Sequence, residues 1–176
     1  MSKVSYSPFL VVAAMLAATS ASAHISLENR QATIGADYKA VFAVPHGCGG
    51  SATIRIRVQI PEGVVAVEPM PKPGWNVDVI KGKYSGEYDY HGTKLSDGAK
   101  EVVWSGGELP GHSRDEFVIS TFLTDGLKPN STLYFPTVQE CEQGVSRWIE
   151  MPAEGQADDG HEGKWPAPGV KLMPKP

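Results

Sequence analysis

Cysteine is nearly absent: Cys48 and Cys141 are the only two in 176 residues. So small a set excludes a thiolate-rich cluster. It leaves one disulfide, or a single thiolate ligand at Cys48, as the available uses. Methionine is also scarce, and Met70, Met151 and Met173 lie far apart, which argues against a thioether-rich site for a soft monovalent metal. Positive charge is in deficit, with 16 Lys and Arg against 20 Asp and Glu and a net charge of −4. That balance gives no reason to hold nucleic acid or an anionic membrane surface. Long apolar runs are missing too. The ten residues from Phe9 to Ala18 fall well short of the roughly 20 that a membrane-spanning helix needs. No window carries apolar residues at helical spacing for three turns. Enzyme signatures are lacking. Gly111-His112-Ser113-Arg114-Asp115 has no second glycine to make a nucleophile elbow, and His161-Glu162 is followed by Gly163-Lys164-Trp165 rather than by a second histidine. No phosphate-binding glycine loop occurs. No catalytic residue is assigned, and the chain is not expected to be an enzyme.

What is present begins at the amino end. Residues 1–23 read as a secretory signal peptide, with Lys3, an apolar stretch, and the small-residue pattern Ala21-Ser22-Ala23. Cleavage there leaves 153 residues with a net charge of −5, enough for one domain with a proper core. The expected location is the periplasm, with no membrane span in the mature chain. His24 becomes the first residue. Its free α-amine and its imidazole Nδ1 can close a chelate ring on one metal ion without help from the fold. An α-amine has a reference pKa of about 7.7–8.0, against about 10.4 for lysine, so a divalent copper ion can displace its proton near neutral pH. Nitrogen sites favour copper most strongly among the first-row divalent metals.

The mature part is written in strands. Ala52, Ile54, Ile56, Val58 and Ile60 alternate with Thr53, Arg55, Arg57 and Gln59, the pattern of a half-buried strand. Segments 38–44, 64–67, 75–80, 102–104, 117–123, 133–138 and 145–151 are rich in β-branched or aromatic residues. Turn formers separate them, among them Pro61-Glu62-Gly63, Lys72-Pro73-Gly74, Asp97-Gly98 and Asp125-Gly126. The expectation is an all-β fold, an antiparallel β-sandwich or cupin-like barrel of about eight to ten short strands. Residues 24–152 form the β domain. Residues 153–176 comprise an acidic loop and a proline-rich tail, in which only Val170 to Met173 suits an edge strand.

In an oxidising compartment Cys48 and Cys141 are most simply a disulfide, and a copper thiolate at Cys48 is the sharper alternative. His46 sits in the glycine-rich bend Pro45-His46-Gly47-Cys48-Gly49-Gly50, where a disulfide would hold it still. Trp148, seven residues beyond Cys141, would then come within reach of the same bend. His91, His112 and His161 each stand in polar, turn-like sequence and read as solvated side chains.

The start Ala23-His24-Ile25, the run Val44-Pro45-His46-Gly47-Cys48, the strand ending Gln59-Ile60-Pro61-Glu62-Gly63 and the block Phe135 to Trp148 together resemble the YcnI-like family of exported copper-binding domains. The resemblance covers nearly all of the mature chain. It implies an all-β fold and a divalent copper ion in a single-histidine brace, with a carboxylate ligand and a tryptophan nearby. His24 matches the brace and Trp148 the tryptophan. Where the carboxylate is expected, this chain has His46-Gly47-Cys48 and no acid. His46 would then make a two-histidine brace, and Glu28, Glu140 or Glu142 are the oxygen alternatives. The expected function is copper sequestration or trafficking in the periplasm, with the copper ion and other copper-handling proteins as partners. Two other readings stand beside it. One is an oxidative copper enzyme like the polysaccharide monooxygenases. The other is a metal-free β-sandwich interaction module.

Overall fold

The computed structural model describes residues 24–152 and 165–175. The expected signal peptide, the acidic segment and His161 lie outside the described residues. Among the described residues there are twelve strands: β1 (Ser26–Leu27), β2 (Gln31–Thr33), β3 (Ala36–Val44), β4 (Thr53–Gln59), β5 (Val64–Pro69), β6 (Asn76–Tyr90), β7 (Thr93–Leu109), β8 (Asp115–Leu123), β9 (Thr132–Tyr134), β10 (Thr137–Cys141), β11 (Val145–Trp148) and β12 (Gly169–Met173). They form a four-stranded sheet β1-β3-β8-β5, a five-stranded sheet β11-β10-β4-β7-β6, and a small sheet β2-β12-β9. The architecture is therefore an all-β sandwich and not a closed barrel. Among the described residues no helix is long and apolar enough to cross a membrane.

The alternation of side chains builds the core. Phe42 on β3, Phe117 and Ile119 on β8, Ile56 and Val58 on β4, and Val102 and Trp104 on β7 are all buried between the two large sheets. Aromatic edges lock the layers: Trp104 meets Phe117 at 5.4 Å, Trp75 meets Phe117 at 5.1 Å, and Phe42 meets Phe135 at 5.7 Å between ring centroids.

Three features depart from the simple strand pattern. First, the alternation on β4 breaks at its start. Its register shifts between Thr53 and Arg55 against β7, and between Glu140 and Cys141 on the β10 side. This bulge turns Ile54 outward, 38% exposed, and brings Thr53 fully inside. Second, β6 and β7 form one long hairpin of 15 and 17 residues where the sequence suggests two short strands. Its turn is not at Asp97-Gly98 but at His91-Gly92, whose φ values of 50° and 84° fit the two-residue turn that suits strand twist. Gly98 lies inside the ladder opposite Gly82, where a Cβ would collide with the Tyr84 ring. Third, β12 is the central strand of its sheet, parallel to β2 and antiparallel to β9, with Val170 and Leu172 buried. It is not an edge strand.

The long hairpin is pinned at its own irregularity. Between Lys83 and Tyr88 the ladder slips, and there the Glu62 carboxylate accepts from the Ser85 N–H (3.2 Å), the Tyr88 hydroxyl (2.9 Å) and the Lys100 ammonium. Partial burial would raise the Glu62 pKa, but these donors, Lys100 foremost, bring it from 4.5 down to about 2. A carboxylate depressed in the folded state lends stability above its ordinary pKa and loses it as the pH falls through the folded value. Glu62→Gln should therefore lower the melting temperature near neutral pH. The gap to the parent protein should close as the pH drops from about 4.5 towards about 2. Melting curves at pH 6 and pH 3 measure this, and a gap that widens in acid contradicts it.

Candidate metal centre

His24 stands just before β1, and β1 is tied to β3 with Ser26 opposite Ala43 and Leu27 opposite Phe42. The chain leaves β3 after Val44 at the end of this pair where His24 leads into β1, and His46 follows two residues on. The two histidines thus leave the same end of one strand pair. Ile25 and Leu27, buried in the core, anchor this short strand, while His24 itself is half-buried.

On its other side His24 meets Trp148, the last residue of β11. The rings stand edge to face, with centroids 5.4 Å apart and planes at 74°. Trp148 is buried and touches Trp165 in turn, at 4.8 Å. Its Nε1–H donates to the side-chain carbonyl of Gln139 at 3.1 Å. Gln139, on β10 and 1% exposed, spends its amide nitrogen on two further partners. Nε2 donates to the His46 carbonyl at 2.7 Å and to Thr53 Oγ1 at 2.8 Å. The amide orientation is fixed at both ends, because an indole nitrogen only donates and a peptide carbonyl only accepts. The inward turn of Thr53 at the β4 bulge supplies the last of these partners.

The bend carrying His46 is held from two more directions. Cys48 and Cys141 form a disulfide across 93 positions, with Cα atoms 6.0 Å apart, and the Cys48 N–H points to Cys141 Sγ at 3.0 Å. Both sulfurs are committed, so Cys48 offers no thiolate. Gly47 donates its N–H to the Gly111 carbonyl at 2.8 Å, and a Cβ on Gly47 would collide with the Ser51 carbonyl. Only glycine allows the backbone to pack this closely. Within the bend, His46 Nδ1 lies 2.7 Å from the Gly47 carbonyl. A carbonyl oxygen can only accept, so Nδ1 is the donor, and in the neutral ring Nε2 then keeps its lone pair. Metal-binding histidines show the same division of roles, with one ring nitrogen donating to a carbonyl and the other left for the ion.

The other candidates lie elsewhere. Glu140 points away from Gln139 on the outer face of β10, bridging Arg55 at 3.0 Å and Arg57 at 3.7 Å. Glu28 is exposed and faces Arg114 at 3.6 Å. Glu142 lines an open cleft beside Cys48, with Glu108 and Gly111. His112 is exposed beside Gly50 in the same region. His91 sits at the hairpin tip against Tyr90 and Phe122. Met70, Met151 and Met173 are exposed, one after β5, one after β11 and one at the end of β12. Among the described residues no three His, Cys, Asp or Glu side chains converge as a metal site. Gln139 is the residue of this site that the amino-acid sequence alone does not single out. Its one signal was parity: it shares the inward phase of β10 with Thr137 and Cys141.

These features define an immunoglobulin-like sandwich with a histidine-lined strand end. Residues 24–172 match the family described as Domain of unknown function (DUF1775), the YcnI-like family, and the chain belongs to it. In structure it is similar to an uncharacterised protein from Nocardia farcinica with an immunoglobulin-like fold. The two are 25% identical with a TM-score of 0.62, and the match covers 86% of this chain and 99% of that one. No functionally curated protein matches the sequence.

Proposed function

We propose that this protein is exported, cut after Ala23, and binds one divalent copper ion in the periplasm to sequester it or pass it on. The α-amine and imidazole of His24 form the chelate, and His46 supplies a further nitrogen through Nε2. The observation that carries this reading is the His46 ring. Its Nδ1 is spent on the Gly47 carbonyl, in a bend that shares a strand end with His24. The donor set suits divalent copper, being nitrogen-based with both sulfurs sealed in a disulfide. The family match beginning at residue 24 gives further support. Bound copper would be shielded on one side by Trp148. Of the oxygen alternatives, Glu140 is held by Arg55 and Arg57, which favours His46 over it, while Glu28 faces Arg114 on the exposed surface and Glu142 lines the cleft beside Cys48.

Copper titration of the mature protein tests the reading, with electron paramagnetic resonance to count coupled nitrogens. His46→Ala should weaken binding at least about tenfold, or 1.4 kcal/mol, and should remove one nitrogen from the spectrum. An unchanged spectrum would move the second-ligand role away from His46.

A further inference from the structure

The geometry points to Gln139 as the positioning residue of this site, the one side chain that ties the indole beside His24 to the peptide that carries His46. The inference rests on the copper reading above and extends it to a residue that touches no metal.

Four observations support it. Gln139 is buried and uses every strong hydrogen-bonding position of its amide nitrogen, two donations to two different segments, while its oxygen holds the indole. Such a saturated buried amide is rigid, and removing it takes a partner from the Trp148 N–H and the His46 carbonyl and leaves Thr53 Oγ1 with the Cys141 sulfur at 3.7 Å. Those partners come from distant parts of the chain: the bend after β3, the start of β4 and the end of β11. The tether is also selective. Trp104, the other large buried indole, has its Nε1–H without a partner in the described core, so burial alone does not bring an indole its acceptor. Finally, Gln139 lies two residues before Cys141, so the disulfide and the amide clamp the His46 bend to the same strand.

What this arrangement does follows from its two limbs. The donation to the His46 carbonyl fixes the peptide from which the imidazole projects, and hence the direction of Nε2. The bond from Trp148 fixes the indole plane against which the His24 ring rests. With both limbs made, the two histidines are held at a set separation before any ion arrives, which lowers the ordering cost of binding.

The test uses the mature protein and three variants. Gln139→Leu removes both limbs. Gln139→Glu, once ionised, still accepts from the indole but can no longer donate to the His46 carbonyl. Thr53→Val removes one anchor of the amide with little change of shape, and serves if Gln139→Leu fails to fold. Without metal, hydrogen exchange at Trp148 Nε1–H should be slow in the parent and in Gln139→Glu, and fast in Gln139→Leu. With copper, Gln139→Leu and Gln139→Glu should each lose about 10–100-fold in affinity, as outer partners of metal ligands commonly do. Their nitrogen couplings should change, and Thr53→Val should shift the same way by less. Folded Gln139→Leu or Thr53→Val protein with parental affinity and spectrum would overturn the positioning role and leave copper binding intact. If the parent binds no copper, the copper reading falls. Altered indole exchange in Gln139→Leu would then mark Gln139 as a purely structural link, and the proposal falls with it.

Discussion

Acetylating the His24 amine of the mature protein should reduce its affinity for divalent copper at least about 100-fold, equivalent to about 2.7 kcal/mol. The block removes one donor and the chelate ring together, while the imidazole, Trp148 and the His46 bend stay where they are. Isothermal titration of the free and acetylated forms measures the effect. The two indoles provide a second readout. Trp148 touches His24 and Trp165 touches Trp148, so copper should quench both emissions in step with binding. Trp148→Phe alone should leave the Trp165 share of that change. Equal affinity in the free and acetylated forms would show that the amine is not a ligand.

Replacing both cysteines with serine should lower the melting temperature by about 10–20 °C. On the chain-entropy account, a closed loop of this size contributes roughly 4–5 kcal/mol, and a domain of this length shifts by about 2–4 °C per kcal/mol. The same change should weaken copper binding, since the bond joins the His46 bend to the strand that bears Gln139. Differential scanning calorimetry of the double variant, followed by copper titration well below its melting point, separates the two effects. A variant that melts with the parent would mean the bond adds nothing to the fold.

The parts readable from sequence were those governed by local composition and by covalent chemistry. Segments 38–44, 64–67 and 117–123, rich in β-branched and aromatic residues, fall within β3, β5 and β8. The disulfide was the simpler of the two uses that an even count of two cysteines allowed. Hidden features were those decided across strands. Ile54 fits the alternation of β4 perfectly, and only its neighbours impose the bulge that expels it. Asp97-Gly98 has the chemistry of a turn, yet the glycine is needed to admit the Tyr84 ring. The residues of β1 and β2 are too few to show a period at all. Gln139 carried no chemical signature, since a glutamine acquires its role only from the three partners around it.

The amide at Gln139 joins segments that lie nearly a hundred positions apart, and this bears on how the molecule folds. Contacts between distant parts of a chain form late, because each must first overcome the entropy of closing a long loop. His24 and β1 belong to the opening of the domain, whereas β10, β11 and Trp165 belong to its close. On the proposed copper reading, a half-folded chain would therefore offer the ion little more than the chelate of His24. The indole and the His46 bend take their places only when the final strands dock. Tight metal capture would thus report that the last third of the polypeptide has reached its native place.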